Sequence, residues 1–308
     1  MDSKDLDFKV IDAHSHLWTR QDTVVDGQPV KTLDRGRSLF FGEEVQMLPP
    51  FMVDGRNTAE VFISNMDYAR VSAAVVVQEF IDGLQNDYLA EVAKAWPERF
   101  KVCAMPDFRR PGFLDDARCL AACGAYAGIA IPGHRLSRPL DDPEMMAMYA
   151  MMERQGMFLS LCLHEDNHQL PEVESIISSF PGLKIAIGHF GMVTTPGWMD
   201  QVRLARHPNV YVESGGITWL FNSEFYPFKG AVEAVRQAAD EVGIGKLMWG
   251  SDYPRTITAI TYRMSFDFIL KSDLLTYDEK RAFLGGNAKE FYGFDSLVEL
   301  PYIKNMSE

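Results

Sequence analysis

The sequence predicts an α/β protein built as a single (β/α)8 barrel of the TIM type, and three observations support this prediction. Eight short apolar runs recur along the 308 residues. Most of these runs are followed by a segment with the three-four spacing of an amphipathic helix. No linker, repeat or low-complexity tract marks a second domain, so we predict one domain over residues 1–308.

The strands are predicted where the apolar runs are β-branched, nearly continuous and roughly 4–8 residues long, which is typical of strands buried in a parallel sheet. In chain order these runs are FKVIDAH, SAAVVVQEF, FKVCAMPDF, YAGIAIPGH, MFLSLCLHE, LKIAIGHFG, VYVESGG and KLMWGSDYP. Eight such strands in succession, separated by helices, are expected to close into a barrel.

The helices are predicted where apolar residues recur at three-four spacing, often with Asn, Asp, Ser or Pro at the start and Gly near the end. These segments are NTAEVFISNMDYARV, NDYLAEVAKAWPERF, PEMMAMYAMMERQGM, PEVESIISSF, KGAVEAVRQAADEVGIG and TYDEKRAFLG. The methionine-rich helix from Pro143 to Gly156 has the spacing of ordinary core packing. We therefore predict that its methionines pack in the core and do not form a cofactor or partner surface.

A long insertion separates the first strand from its helix. It runs from Arg20 to Gly55, whereas a βα loop usually has about 2–6 residues. Within it, Asp26-Gly27 lies between β-prone residues, which predicts a tight hairpin. Because the insertion leaves a strand end that carries histidines, we predict that residues 20–55 form a lid over the barrel mouth.

The charge balance limits the class of partner. The chain has 30 Lys and Arg against 43 Asp and Glu, a formal net charge of -13 and a pI near 5.0. These values argue against a nucleic-acid surface and against docking on anionic membranes. We expect the partner to be a small-molecule substrate, which could be anionic if local arginines hold it. Barrel proteins with long lids often form dimers, so a homo-oligomer is also compatible with the sequence.

The N-terminal residues show no secretory signal, and no apolar run approaches the length of a membrane span. We expect a cytoplasmic protein. Its cysteines lack a metal-type spacing and are predicted to be reduced core residues; they are Cys103, Cys119, Cys123 and Cys162.

Imidazole and carboxylate side chains follow several strands at the end where barrel enzymes carry their active sites. His14 and His16 end the first strand and, being two residues apart, face the same way. His164 ends the fifth strand, His189 the sixth and Asp252 the eighth. This set predicts one divalent metal ion, zinc first and manganese as the common substitute. An open coordination position would then activate a water molecule as the nucleophile.

These motifs resemble the amidohydrolase superfamily, with DAHSH on the first strand, LHE on the fifth, IGHFG on the sixth and WGSDYP on the eighth. The chain is most similar to the amidohydrolase-related branch, which contains sugar-acid lactonases, pyrone-dicarboxylate lactonase and carboxymuconate-semialdehyde-type decarboxylases. The fourth strand, GIAIPGH, has no lysine that could bridge two metals. We therefore predict one metal ion and not two.

The resemblance also implies a role for each residue. His14, His16, His164 and Asp252 would bind the metal. His189 would orient or deprotonate the water, or protonate the substrate. Asp252 would act as both ligand and proton shuttle.

Other side chains that follow strand ends are candidates for substrate binding. Arg135 and Arg255 could hold a carboxylate or hydroxyl in a bidentate grip. His134 could contact substrate or be an interior hydrogen-bonded histidine. Aromatic residues that could line a mostly apolar cleft, or else pack beneath the loops, are Trp18, Phe190, Trp219 and Tyr253.

One short motif suggests a different chemistry. Residues 164–168 match the His-Glu-x-x-His pattern of zinc proteases, which works only on a helix. The preceding FLSLCL is strand-like and Pro171 follows almost at once. We therefore do not expect a protease site here.

The function predicted from these residues is a metal-dependent hydrolase that opens a cyclic ester, a sugar-acid or aromatic-derived lactone, with metal-activated water. The alternative is a non-oxidative, metal-dependent decarboxylase of a carboxylated aromatic or muconate-type acid, in which the metal holds the substrate and an acid protonates carbon. A non-catalytic binding protein on a retained barrel is a third hypothesis, disfavoured by the full set of ligands.

Overall fold

The structure is a computed structural model and describes residues 5–308. Within these residues the strands are β1 (Val10–Ser15), β2 (Asp22–Val25), β3 (Gln28–Thr32), β4 (Arg37–Phe40), β5 (Glu43–Gln46), β6 (Val71–Val76), β7 (Phe100–Ala104), β8 (Gly128–Pro132), β9 (Phe158–Cys162), β10 (Ile185–Ile187), β11 (Val210–Glu213) and β12 (Leu247–Met248).

The helices lie mainly between the parallel strands. They are α1 (Ala59–Ala69), α2 (Asn86–Ala95), α3 (Phe113–Ala122), α4 (Pro143–Gln155), α5 (Leu170–Ser179), α6 (Trp198–Arg203), α7 (Ile217–Leu220), α8 (Lys229–Val242), α9 (Met264–Lys271), α10 (Tyr277–Arg281) and α11 (Asn287–Tyr292). In the part of the chain that the structure describes, no helix has both the length and the apolar composition needed to cross a bilayer.

The large sheet closes on itself. In the described residues its eight strands are ordered β1, β6, β7, β8, β9, β10, β11, β12, and each neighbouring pair is parallel. The Ala13 N–H donates to Trp249 O and the Asp252 N–H donates to His14 O, both at 2.9 Å. These bonds bring the end of β12 against β1, so the predicted (β/α)8 barrel is confirmed. The carboxyl ends of all eight strands therefore meet at one mouth.

Helix α4 illustrates how local sequence sets the helix bounds. Asp142 accepts hydrogen bonds from the Glu144 and Met145 backbone N–H groups, Pro143 occupies the first turn, and Gly156 takes a left-handed conformation at the end. The buried face of this helix includes Met145, Met148 and Met152. The prediction that its methionines pack in the core is confirmed for these residues.

The insertion after β1 folds as a small antiparallel sheet of the strands β2 to β5. Asp26 and Gly27 both have positive φ angles, and Val25 pairs directly with Gln28, so the predicted two-residue hairpin is confirmed. The tip of this hairpin and the β4–β5 turn approach Arg135 at the barrel mouth, through Asp26 and Phe41. The role of the insertion as a lid stays a prediction.

Two of the four cysteines do not lie in the core, where all four were expected. Cys103 is buried and Cys162 is half-buried, but Cys119 and Cys123 are exposed. The prediction of a core position is wrong for these two because α3 buries Phe113 and Ala117 and turns its C-terminal end towards solvent.

Hydrogen bonds to Asp12 connect β1 to the segment that follows β12. Its carboxylate is fully buried and accepts hydrogen bonds from the Ser251 N–H at 2.8 Å and from the Tyr262 O–H at 2.7 Å. Burial raises the pKa of Asp12 to about 6, although the donors from Ser251 and Tyr262 oppose this shift. Asp12 therefore lies at the seam where the barrel closes.

We expect Asp12→Ala to lower the free energy of unfolding by about 2–4 kcal/mol, because it leaves several buried donors without an acceptor. Urea unfolding followed by circular dichroism measures the change. Asp116→Ala, which removes an exposed carboxylate from α3, is the control and should shift stability by about 0.5 kcal/mol or less. Equal midpoints for the two variants would contradict a structural role for Asp12.

Candidate active site

His14, His16 and Asp252 meet at the barrel mouth. His14 lies on β1, His16 follows that strand, and Asp252 lies in the loop after β12. The two Nε2 atoms are 3.0 Å apart, and Asp252 Oδ1 lies 3.3 Å from His16 Nε2 and 3.7 Å from His14 Nε2. Among residues 5–308, these side chains form one of the groups whose ligand atoms lie close enough to share an ion.

Two further carboxylates orient the histidine rings. Glu213, at the end of β11, lies 2.7 Å from His14 Nδ1, and Asp82 lies 2.7 Å from His16 Nδ1. A carboxylate accepts the Nδ1 proton and so directs Nε2 towards the ion, as in carboxylate–histidine–metal arrangements. The two Nε2 atoms thus face each other, and only a cation between them, a proton or a metal ion, makes this arrangement favourable.

The charges around His14 and His16 also favour a bound cation. Burial lowers the pKa of His14 and His16, but the neighbouring carboxylates together raise both pKa values above the usual value. Glu213 and Asp252 act on His14, and Asp82 and Asp252 act on His16. Negative charge thus surrounds the two imidazoles. Tetrahedral zinc with ligands at about 2.0–2.2 Å separates its donor atoms by about 3.3 Å. The three residues therefore fit a divalent ion in both donor type and spacing.

His189 lies beside this cluster as a neutral imidazole. Its Nδ1 is 2.8 Å from the Gly215 carbonyl oxygen, so Nδ1–H donates and Nε2 keeps its lone pair. Its ring centroid is 4.7 Å from that of His14. Burial lowers the pKa of His189, and the nearby charge of His14 lowers it further. An unprotonated base is therefore available next to the cluster at neutral pH.

Asp252 is ionised. Burial alone would raise its pKa, but the hydrogen bond from His16 and the charges of His16 and His14 hold the pKa well below its usual range. The Trp219 Nε1–H donates to Asp252 Oδ2 at 2.6 Å. This bond fixes the carboxylate so that Oδ1 faces the histidines.

A cavity of about 490 Å³ opens above these groups. Its wall contains the predicted substrate-binding residues Trp18, His134, Arg135, Trp219 and Arg255, and His164 lines it as well. A cavity of this size accommodates a small cyclic substrate.

The two arginines of the wall differ in their surroundings. Arg135 forms an ion pair with the buried Glu79, with Nε and Oε1 2.9 Å apart. Arg255 stacks over the Trp219 ring, 3.6 Å from its centroid, and has no acidic partner among the residues that the structure describes. His134 is uncharged, because burial and the neighbouring Arg135 lower its pKa to about 3. Arg255 thus carries the unneutralised positive charge of this wall.

Phe190 and Tyr253 are not part of the wall. Both side chains are fully buried: Phe190 stacks near Trp198, and Tyr253 stacks on Phe62 with ring centroids 4.1 Å apart. Of the two roles considered, packing beneath the loops describes both residues and lining the cleft does not, because the turns after β10 and β12 direct these rings towards α6 and α1.

His164 is not brought into the group of His14, His16 and Asp252. It lies in the loop after β9, where its Nδ1 is 3.0 Å from Asp166 Oδ1 and its side chain is 40% exposed. Residues 164–168 form turns and not a helix, which agrees with the expectation that the His-Glu-x-x-His motif is not a protease site.

The carboxylates behind the site are not among the residues predicted from the sequence. Glu213 ends the strand segment VYVE, and Glu79 and Asp82 follow β6 in the segment QEFID. A search for every acidic residue just after a predicted barrel strand would have found all three.

Comparison with known proteins agrees with this architecture. The family model described as Amidohydrolase matches residues 11–294. The L-fucono-1,5-lactonase of Burkholderia ambifaria is 26% identical over 300 residues, covering 92% of this chain and 96% of the relative.

Two solved structures share the fold. A probable 2-pyrone-4,6-dicarboxylic acid hydrolase from Acinetobacter baumannii, with citric acid bound, has a TM-score of 0.69 and 19% identity, and the match covers 92% of this chain and 99% of that one. A zinc-bound amidohydrolase from Burkholderia multivorans has a TM-score of 0.68 and 17% identity, with the same coverage.

Proposed function

Since the chain belongs to the amidohydrolase family and is a hydrolytic enzyme, we propose that it opens the ring of a lactone with a metal-activated water. The observation that carries this proposal is the pair of opposed Nε2 atoms of His14 and His16, with Asp252 beside them and the neutral His189 within reach. The similarity to a fuconolactonase over nearly the whole chain supports the choice of a cyclic ester.

We propose that His14, His16 and Asp252 hold one divalent ion, zinc or manganese. The donor set fits such an ion, and the related B. multivorans amidohydrolase binds zinc. When bound, the ion supplies a Lewis acid that polarises the ester carbonyl and lowers the pKa of water.

The protein's own groups then move the proton. The Nε2 atom of His189 takes a proton from the attacking water, because its lone pair is free and the ring is neutral. The carbonyl carbon gains the C–O bond to that oxygen, and the ring C–O bond breaks. His189 returns the proton to the leaving oxygen, which yields the hydroxy acid. We assign Asp252 to binding the ion and setting the geometry, because Trp219 Nε1–H fixes its Oδ2 and its Oδ1 faces His16 Nε2.

The charged side chains that line the cavity favour a neutral lactone with hydroxyl groups as the substrate. Glu79 already neutralises Arg135, which leaves Arg255 to pair with at most one carboxylate. A dicarboxylate would bring a second negative charge next to Glu79 and Glu165 without a partner, which is costly. The same two carboxylates can accept hydrogen bonds from sugar hydroxyls.

We therefore expect neutral sugar lactones to be hydrolysed with kcat/KM about 10-fold or more above that for 2-pyrone-4,6-dicarboxylate, a difference of about 1.4 kcal/mol in transition-state binding. The test is a pH-indicator assay of the zinc-loaded protein against both classes of lactone, with the chelator-treated protein as control. Faster hydrolysis of the dicarboxylate would contradict the charge argument. Release of carbon dioxide from a carboxylated aromatic acid, without hydrolysis of any lactone, would favour the decarboxylase alternative.

A further inference from the structure

We propose that Trp219 is a positioning residue that couples Arg255, on the cavity wall, to the carboxylate of Asp252. This inference rests on the proposed function, because it assigns Trp219 a role at the proposed ion. We call that ion the central ion, and its proposed ligands His14, His16 and Asp252 the central group. The sequence predicted Trp219 only as a residue that lines the cleft or packs beneath the loops.

The indole of Trp219 joins three side chains of the site. Its Nε1–H donates to Asp252 Oδ2 at 2.6 Å, while Oδ1 of the same carboxylate lies 3.3 Å from His16 Nε2. The guanidinium carbon of Arg255 lies 3.6 Å from the centroid of the indole ring, so that the cation covers one face of it. The His189 ring is inclined at 61° to the indole, with centroids 6.0 Å apart. A substrate on the covered face would therefore meet Arg255 and not the indole.

The backbone before Trp219 fixes the position of the indole. Trp219 belongs to the short helix α7, and Gly216 precedes this helix with a φ angle of +69°. A Cβ atom at Gly216 would lie 1.8 Å from Trp219 Nε1, so only glycine lets the indole lie this close to the backbone. The hydroxyl oxygens of Thr218 and Thr256 are 3.4 Å apart, which links α7 to the segment after β12. The local backbone thus aims the indole N–H before any substrate binds.

The position of Arg255 gives it an effect on Asp252 through the ring. Neighbouring polar groups polarise one another inside a protein, so a cation on the indole face makes the indole N–H a stronger donor. This stronger donor holds Asp252 Oδ2 more firmly and keeps Oδ1 turned towards the central group. A lactone oxygen that binds Arg255 would restrain the guanidinium on the ring. Arg255 would therefore affect turnover as well as substrate binding.

The first measurement is zinc affinity, because it requires no substrate. Zinc is titrated into the chelator-treated protein in competition with a chromophoric chelator. We expect Trp219→Phe, which keeps a ring beside Arg255 but lacks the N–H, to bind zinc about 10–100-fold more weakly, the range that partners of metal ligands contribute. The matched control is Trp18→Phe, since the Trp18 indole also lines the cavity and donates to the Gly55 carbonyl oxygen. This control should keep the zinc affinity of the unaltered protein.

The second measurement is a double-mutant cycle on the zinc-loaded protein in the lactone assay. Arg255→Ala alone should raise KM and also lower kcat by about 3-fold or more. In the Trp219→Phe background the same change should raise KM and leave kcat unaltered, because the N–H on which Arg255 acts is absent. A residue that only binds substrate, or only supports the fold, would change kcat equally in both backgrounds.

The outcomes separate this proposal from the proposed function. Equal zinc affinity for Trp219→Phe and the unaltered protein would overturn the positioning role. An unchanged kcat in Arg255→Ala would overturn the coupling, and this variant alters an exposed side chain, so it does not depend on the folding of Trp219→Phe. If Trp219→Phe weakens zinc binding but the unaltered protein hydrolyses no lactone, the positioning role stands and the proposed function fails. If the unaltered protein binds no zinc, both fail.

Discussion

His16→Ala is expected to abolish binding of the central ion and to lower kcat/KM for a lactone by about 10³-fold or more, equivalent to about 4 kcal/mol of transition-state stabilisation. The variant removes one of the two opposed Nε2 atoms and leaves Asp252 and His14 as the remaining close ligands. Two ligands hold a divalent ion far less tightly than three. Metal analysis and steady-state kinetics on the same preparation measure both losses.

A loss of folding must be distinguished from a loss of metal. Asp82, which is buried and pairs with His16 Nδ1, would be left without that partner. The variant with His16→Ala and Asp82→Asn together removes this unpaired charge. It should recover thermal stability and still bind no central ion. If it regained activity instead, the defect would lie in the buried charge and not in the ligand.

His189→Asn is expected to keep the central ion and to lower kcat by about 10²–10³-fold, the range that general acid–base catalysis contributes. The asparagine amide can still donate to the Gly215 carbonyl oxygen in place of Nδ1. It has no basic atom in place of Nε2. Geometry is thereby retained while the proton acceptor is lost.

The measurement pairs single-turnover kinetics with metal content. A variant as depleted in metal as His16→Ala would show that His189 is a ligand, and a variant with full activity would show that another group moves the proton. The matched comparison is His134→Asn. His134 also lines the cavity but is not among the residues assigned to proton transfer, so this variant should change KM more than kcat.

The sequence was sufficient to place His14, His16 and Asp252 together. Strand ends in a closed parallel barrel meet at one mouth, and two residues that are two apart on a strand share a face. Strand periodicity therefore predicts the direction of His14 on β1 and, continued one residue past the strand, that of His16.

The same reasoning fails for several other residues in the loops beyond the strand ends. β9 ends at Cys162, and the loop beyond it turns His164 towards Asp166 and away from the central group. Phe190 and Tyr253 each follow a site residue directly, and the turn sends their rings into the core. Side-chain direction in such turns depends on loop backbone angles, which apolar periodicity does not encode.

The carboxylates behind the histidines were missed for another reason. Glu213 and Asp82 contact the rings of His14 and His16, so they would influence the proposed ion through these rings. Their partners lie 199 and 66 residues away in the chain, and a motif search compares residues that are close in sequence. Only the folded barrel brings these carboxylates to the rings.

The insertion of strands β2 to β5 has a consequence for how such enzymes diversify. Within the described residues, these strands pair with one another and with no barrel strand. Their contacts with the mouth run through a few side chains, such as Asp26 and Phe41 near Arg135. Changes at the exposed turns of this segment are therefore expected to leave the seam between β12 and β1 intact, whereas Val25 and Val30 are buried in the main core. Catalytic groups and the turns of the insertion thus lie on separate parts of the chain, so that one barrel can serve different substrates through changes in its loops.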